Sequence, residues 1–255
     1  MLFSIWLQSK ALGRLRHGTL LLAGVTCLSA CGSEIDCLKS NGPVVTQRRA
    51  VDRRTRTVIV YDNVTLTIVP DTAAYAEVRA GEHVIDGLTL TSPDAHTLVL
   101  NNTNRCNWAR SYDTPYEVRL HAPALYDVRQ LGYGLIRTDS HWTKDTLFVH
   151  LLADGDIKLD VSSKYLYTDM WELGDMTLSG TADVFHPLVG GVGFLYAGGL
   201  KATACYFETT RTSFGDAHLH ATQLLGGAAA GRGTVYYSGN PATFYNNGPS
   251  KVVKQ

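Results

Sequence analysis

Short segments that alternate apolar and polar residues recur through the second half of the chain, and each one follows a glycine. The glycines are Gly134, Gly155, Gly174, Gly193, Gly215 and Gly233, so successive copies begin about 20 residues apart. A period of this length with a strand in each copy predicts a solenoid. One copy cannot bury its own apolar face, but stacked copies share a continuous core.

The alternation keeps the same phase in all six copies. Side chains of a strand point to opposite faces in turn, so the apolar residues two and four positions after each glycine should face inward. These pairs are Ile136/Thr138, Ile157/Leu159, Met176/Leu178, Leu195/Ala197, Ala217/Leu219 and Val235/Tyr237. We therefore expect an all-β chain folded as a parallel β-helix, with coils of about 20 residues. A β-sandwich, which also has many short strands, is the alternative.

The outward positions of the last three copies carry rings. In this register Tyr196, His218 and Tyr236 stack about 4.8 Å apart on successive coils, and Gly198 leaves room beside the first ring. Tyrosine offers contact area and a polar tip, so the three residues form a candidate binding surface for a sugar or for a partner's apolar edge. The alternative is that the rings only shield the face of the sheet.

The start of the chain has the features of a bacterial secretory leader. Basic residues precede an apolar stretch over 18–28, which is shorter than the roughly 20 residues that span a bilayer. Leu28-Ser-Ala-Cys31 follows, and the whole resembles the signal of lipoprotein precursors. This resemblance implies cleavage before Cys31 and lipidation of that cysteine. An ordinary secretory signal with an incidental cysteine is the alternative.

These features divide the chain into three parts. We expect a signal peptide over 1–30, a lipidated tether over 31–46 and a β-helical domain over 47–255. The lipid would hold the protein to the membrane in the cell envelope. Gly32, rather than an aspartate, follows the lipidated cysteine, which favours the outer membrane.

Three cysteines remain once the leader is removed and Cys31 is lipidated. An oxidising envelope permits one disulfide among them, and we favour Cys37–Cys106. Cys205 lies in an alternating strand and is expected to be a buried free thiol. The sequence has no Cys-x-x-Cys pair, so we expect neither a zinc site nor a redox site built from cysteines.

Composition and charge narrow the possible partners. Lys+Arg and Asp+Glu number 23 each, and no basic patch indicates a nucleic-acid partner. The Gly-Asp pairs at 155–156, 174–175 and 215–216 are expected to form turns rather than a calcium site. His218 and His220 make only half a zinc site. No cofactor and no metal is expected.

Several segments resemble the head GIN domain family of auto-transporter adhesins, a domain of unknown function. They are Asp36-Cys37, Val60-Tyr-Asp-Asn-Val-Thr-Leu-Thr-Ile, Val78-Arg-Ala-Gly-Glu, Asn104-Arg-Cys-Asn-Trp-Ala-Arg-Ser-Tyr and Tyr236-Tyr-Ser-Gly-Asn-Pro. The resemblance covers about Cys37 to Lys254. It implies a β-helical fold and a secreted or envelope location, and it brings no catalytic residues.

The sequence therefore predicts a non-enzymatic envelope lipoprotein, an adhesion or binding module whose partner is an envelope glycan or a protein. The alternative is a glycan-active enzyme similar to the polysaccharide lyases that β-helices host. Asp139 and Asp160 lie on adjacent coils, as sugar-cleaving carboxylates can, but they are expected to offset Arg137 and Lys158 beside them. A lyase groove would need Arg, Lys, Asp and His clustered on one face, which the outward columns do not show.

Overall fold

The structure is a computed structural model that describes residues 40–105 and 114–255. The leader, Cys31, Cys37 and Cys106 lie outside the described residues, so the predicted lipidation and disulfide remain predictions. No helix in the described part of the chain is long and apolar enough to cross a bilayer.

The described residues form one seventeen-stranded sheet, with a short 3-10 turn at Ile85–Gly87. The strands are β1 (Val44–Ala50), β2 (Thr57–Val60), β3 (Thr65–Val69), β4 (Tyr75–Gly81), β5 (Leu88–Thr91), β6 (Thr97–Asn102), β7 (Glu117–His121), β8 (Asp127–Gln130), β9 (Leu135–Thr138), β10 (Trp142–Leu151), β11 (Asp156–Met170), β12 (Met176–Val189), β13 (Leu195–Thr209), β14 (Ala217–Ala229), β15 (Val235–Ser238), β16 (Thr243–Asn246) and β17 (Val252–Lys254).

Equivalent strands of successive coils pair in parallel, in the predicted register. Ile157 pairs with Met176, Met176 with Leu195, Leu195 with Ala217 and Ala217 with Val235. The all-β parallel β-helix is thereby confirmed, and the β-sandwich alternative is wrong.

The strands line two main faces of the solenoid. Face A starts directly after the repeated glycines and contains β7, β3, β9, the first parts of β11 to β14, β15 and β17. Face B contains β6, β2, β8, the last parts of β10 to β14, and β16. The strands β11 to β14 are long because each one runs from face A round to face B.

The order of strands along the stack departs from their order in the chain at one place. β2 lies between β6 and β8, and β3 lies between β7 and β9. At this end β1, β4 and β7 pair antiparallel on face A, and β5 pairs antiparallel with β6 on face B. β1 starts at Val44, inside the range expected for the tether, because Val44 to Thr46 pair with Arg79 to Gly81.

The inward residues of all six copies form the core as predicted, apart from Thr138 and Tyr237, which are half-buried. Cys205 lies in this core, aligned with Phe185 on one neighbouring strand and with Leu225 on the other. It is a free thiol, as predicted, and its burial raises the pKa of that thiol well above the ordinary value.

The repeated glycines stack at the corner where face B turns into face A. A Cβ on Gly174 would stand 2.0 Å from the carbonyl oxygen of Gly155, and one on Gly193 would stand 1.8 Å from that of Gly174. Only glycine lets the coils approach so closely. Beside the glycines, the Asp156 carboxylate accepts the backbone N–H of Asp175 at 2.9 Å, so this aspartate links two coils rather than closing its own turn.

Candidate functional site

The three predicted rings lie in one stack on face A. The ring centroids of Tyr196 and His218 are 5.8 Å apart and those of His218 and Tyr236 are 5.0 Å apart, with planes inclined by 15° and 16°. Phe194 continues the stack beyond Tyr196, at 6.1 Å. The structure therefore brings the three residues together, and we call these four rings the face-A ladder.

The orientation of these rings limits what they can contact. Nearly parallel rings that follow one another at about the strand spacing must turn their faces towards each other. Their edges, including the hydroxyl tips of Tyr196 and Tyr236, then point towards solvent. Tyr196 is 42% exposed and Phe194 is 38% exposed. A partner would therefore meet ring edges along the ladder, and it would meet free ring faces only at the two ends.

A second ladder, which the sequence analysis missed, lies on face B. Centroid distances along it are 6.2, 5.2, 5.0 and 5.0 Å, and the first contact is edge-to-face. Its members are Tyr126, Phe148, Tyr167, His186 and Tyr206. The signal was present in the sequence, because these residues recur near the 20-residue period. Burial lowers the pKa of His186, which favours its neutral form inside the stack.

Charged side chains accompany the face-B ladder. Asp127 pairs with Arg129 at 2.7 Å, and His150 lies between Asp127 and Asp169, with its Nδ1 hydrogen-bonded to the Asp169 carboxylate. Trp171 Nε1 donates a second hydrogen bond to Asp169, at 2.9 Å. Burial opposes ionisation of Asp169, but the hydrogen bonds from His150 and Trp171 outweigh it and hold the pKa of that carboxyl below its ordinary value.

Exposed apolar side chains form a ridge along the glycine corner. Leu173, Val192 and Phe214 each precede a stacked glycine directly, and they are 59%, 46% and 50% exposed. Trp171, also exposed, lies two residues before Leu173. We call these four residues the corner ridge. Groups of exposed apolar side chains that together cover more than a few hundred Å² mark interaction sites in many proteins.

A depression of about 370 Å³ lies on face A among the coils that precede the ladder. It is lined by Leu135, Arg137, Thr138, Lys158, Leu159, Asp160, Thr177 and Ser179. Arg137 and Lys158 are direct partners on β9 and β11. His141 Nδ1 lies 3.2 Å from Asp160 Oδ1. The expectation that no Arg, Lys, Asp and His gather on one face is therefore wrong, because His141 reaches this group from outside the repeated columns.

The two aspartates beside the depression have other partners than expected. Asp139 pairs with Arg119 at 2.9 Å, and this hydrogen bond holds the pKa of Asp139 below its ordinary value. Asp160 contacts His141 and accepts a hydrogen bond from Ser179 Oγ at 3.3 Å. Within the described residues, neither aspartate forms an ion pair with Arg137 or Lys158.

The two histidines of β14 contact different groups. His218 belongs to the face-A ladder, whereas His220 Nδ1 contacts Ser238 Oγ at 2.9 Å. Over 40–105 and 114–255, no three His, Cys, Asp or Glu side chains come together in a group that could hold a metal ion.

Comparison with known proteins identifies the family. The family model described as "putative auto-transporter adhesin, head GIN domain" matches residues 56–241. The chain belongs to this family. The resemblance found in the sequence is thereby confirmed, although no curated protein sequence matches the chain.

Several solved structures share the fold of the chain. A "putative adhesin" from Bacteroides fragilis has a TM-score of 0.71 at 19% identity, over 84% of this chain and 97% of that one. A "putative lipid binding protein" from Parabacteroides distasonis has a TM-score of 0.61 at 16% identity, over 85% and 98%. A "putative adhesin" from Parabacteroides merdae has a TM-score of 0.54 at 19% identity, over 86% and 98%. Identities this low establish the common fold alone.

Proposed function

We propose that the protein is a non-enzymatic binding module of the cell envelope. Lipid on Cys31 would hold it to the outer membrane, and face A with the corner ridge would contact an envelope glycan or protein. The observation that carries this proposal is the exposure of several large apolar side chains at the glycine corner and on face A, among them Leu173, Val192, Tyr196 and Phe214. The description of the family as adhesins supports both the binding role and the envelope location.

The energetics favour a partner on this surface. Burial of one large apolar side chain is worth about 1.5–3 kcal/mol, so covering several of them would give a substantial gain. The corner ridge stands on stacked backbone that is held by hydrogen bonds between coils, such as Val192 N–H to the Glu172 carbonyl at 2.9 Å. A partner would thus meet a surface that is already ordered, which reduces the entropic cost of binding.

The test replaces two exposed rings of this surface, Tyr196 and Phe214, and two rings of face B, Tyr126 and Tyr206, that are 37% and 36% exposed. We expect the Tyr196→Ser/Phe214→Ser variant to lose binding to isolated cell envelopes, whereas Tyr126→Ser/Tyr206→Ser retains it. Both variants carry Cys31→Ser, so that the lipid itself contributes no membrane binding. Co-sedimentation with envelopes measures the bound fraction, and circular dichroism checks the fold. Equal binding by the two variants would refute the proposed surface.

The depression on face A favours one further candidate, a glycan-active enzyme. Arg137, Lys158, Asp160 and His141 are residue types that could position an acidic sugar and move a proton. Incubation of the purified chain with acidic and neutral polysaccharides, followed by sizing of the products, tests this candidate. Shortened chains that disappear with Lys158→Gln would establish an enzyme and replace the binding proposal.

A further inference from the structure

We propose that the face-A depression binds the carboxylate groups of an acidic polysaccharide through Arg137 and Lys158. This inference rests on the proposed function and names the ligand class of the same face. Arg137 and Lys158 repel each other in the free protein. They are direct partners on β9 and β11, and like charges placed opposite each other on neighbouring strands are destabilising.

Neither of these two cations forms an ion pair within the described residues. Asp139 attracts Arg137 electrostatically, but its carboxylate is bound by Arg119. The Lys158 ammonium donates no hydrogen bond to any described residue. Arg137 donates only through Nε, to Thr67 Oγ1 at 3.1 Å, so its two Nη groups remain available. Both side chains are exposed. An anion held between the guanidinium and the ammonium would replace their repulsion with two charge-assisted hydrogen bonds.

The nearest carboxylates do not serve this purpose, because they are engaged elsewhere. Asp139 turns to Arg119 and Asp160 turns to His141. Both of the contacts that Asp160 makes through its side chain use Oδ1, which leaves Oδ2 free to accept a hydrogen bond from a ligand.

The lining of the depression favours a sugar acid over a bare inorganic anion. Hydroxyl groups of Thr138, Thr177 and Ser179 line the depression together with the two cations. Thr138 Oγ1 accepts from Asp160 N–H and Ser179 Oγ donates to Asp160, so towards a ligand Thr138 can donate, Ser179 can accept and Thr177 can do either. Asp160 would repel a compact anion, but it would accept hydrogen bonds from sugar hydroxyls. The volume of about 370 Å³ lies within the range of small-ligand sites.

The column beyond the depression favours a polymer over a single sugar. The outward position of Lys158 continues through Thr177 and Tyr196 to His218 and Tyr236, each aligned with the next. Four steps of about 4.8 Å make this column about 19 Å long. A polysaccharide lying along the stack would place one carboxylate on the cation pair and its following units against the hydroxyl edges of the ladder.

The test compares two variants that remove the same charge from different faces. Arg137→Gln/Lys158→Gln alters the depression, whereas Arg53→Gln/Lys201→Gln removes two exposed cations that make no ion pair in the described part of the chain. The probes are polygalacturonate, dextran sulfate and neutral dextran, and biolayer interferometry with the purified full-length chain in detergent gives the Kd values. Circular dichroism confirms that both variants are folded.

We expect the unaltered chain to bind polygalacturonate, with an affinity that falls as salt increases, and not to bind dextran. The Arg137→Gln/Lys158→Gln variant should bind about ten-fold more weakly or worse, while the control variant binds normally. Equal weakening of the two variants would refute the site, as would equal binding of polygalacturonate and dextran. Binding of dextran sulfate but not polygalacturonate would refute the carboxylate assignment.

The two proposals can fail separately. If Arg137→Gln/Lys158→Gln leaves polysaccharide binding intact while Tyr196→Ser/Phe214→Ser abolishes envelope binding, the depression is not the polysaccharide site and the binding surface stands. If instead Arg137→Gln/Lys158→Gln loses polysaccharide binding while Tyr196→Ser/Phe214→Ser keeps envelope binding, the depression binds the polysaccharide. The face-A ladder and the corner ridge are then structural.

Discussion

Replacement of Gly193 by alanine tests whether the stacked glycines set the spacing of the coils. The added Cβ would stand 1.8 Å from the carbonyl oxygen of Gly174, whereas real Cβ contacts essentially never fall under 3.0 Å. The two coils must therefore separate locally by about 1.2 Å, the difference between these distances. The obstacle is backbone, so no side-chain rotation can relieve it.

This separation breaks hydrogen bonds between coils. Glu172 O accepts the N–H groups of Val192 and Gly193 at 2.9 and 3.1 Å, and neither bond survives a lengthening of that size. Overpacking costs about 1–3 kcal/mol, and each lost bond adds about 1 kcal/mol. We expect a total loss of about 3–5 kcal/mol. For a chain of this size, that lowers Tm by about 6–20 °C.

Gly198→Ala is the matched control, since it places the same methyl group five residues further along the chain, inside β13. A Cβ at Gly198 meets nothing within 4 Å, so we expect the stability to change by no more than about 0.5 kcal/mol. Thermal unfolding followed by circular dichroism compares both variants with the unaltered chain. Equal Tm values for Gly193→Ala and Gly198→Ala would show that the glycine corner does not set the coil spacing.

Three further predictions concern the anchor, the disulfide and the dependence on pH. Cys31→Ser should release the protein from the membrane fraction and abolish labelling with fatty acid; retention without label would refute the anchor. Non-reducing peptide mapping should recover Cys37 joined to Cys106, a bond worth about 2–4 kcal/mol. The depressed pKa of Asp169 stabilises the fold above the carboxyl's ordinary pKa, and this stability is lost as pH falls through the lowered value. Asp169→Asn, which keeps a partner for His150, should therefore show a smaller loss of Tm on acidification.

The repeated part of the fold could be predicted because its information is local and periodic. In each copy, the position of a strand residue relative to the preceding glycine determines whether its side chain faces the core. Ile157, Met176 and Leu195 are buried, as their positions predict. Alignment of equivalent positions in successive copies likewise predicted that Tyr196 lies beside His218. It would also have found Tyr167 and His186 on face B, had the second strand of each copy been aligned as the first was.

The corner ridge and the depression needed the structure, because they depend on turns and on contacts between unlike positions. Phe214 precedes a glycine in a turn, where alternation predicts nothing about exposure. His141 reaches Asp160 from the residue before β10. His141 and Asp160 are 19 residues apart, close to one period, but counting from the repeated glycines aligns Asp160 with Asp139 instead.

The position of β2 and β3, which lie between strands from later in the chain, has the largest consequence for the proposed site. Arg119 and Arg137 are 18 residues apart, close to one period, so the columns alone would set the two guanidinium groups side by side. In the structure β3 lies between them, and Thr67 aligns with both arginines. Thr67 Oγ1 accepts from Arg137 Nε, while Arg119 turns to Asp139. A strand from much earlier in the chain thus separates the two arginines and anchors Arg137 through its Nε, so the position of Arg137 depends on the order of the stack, which the repeat does not encode.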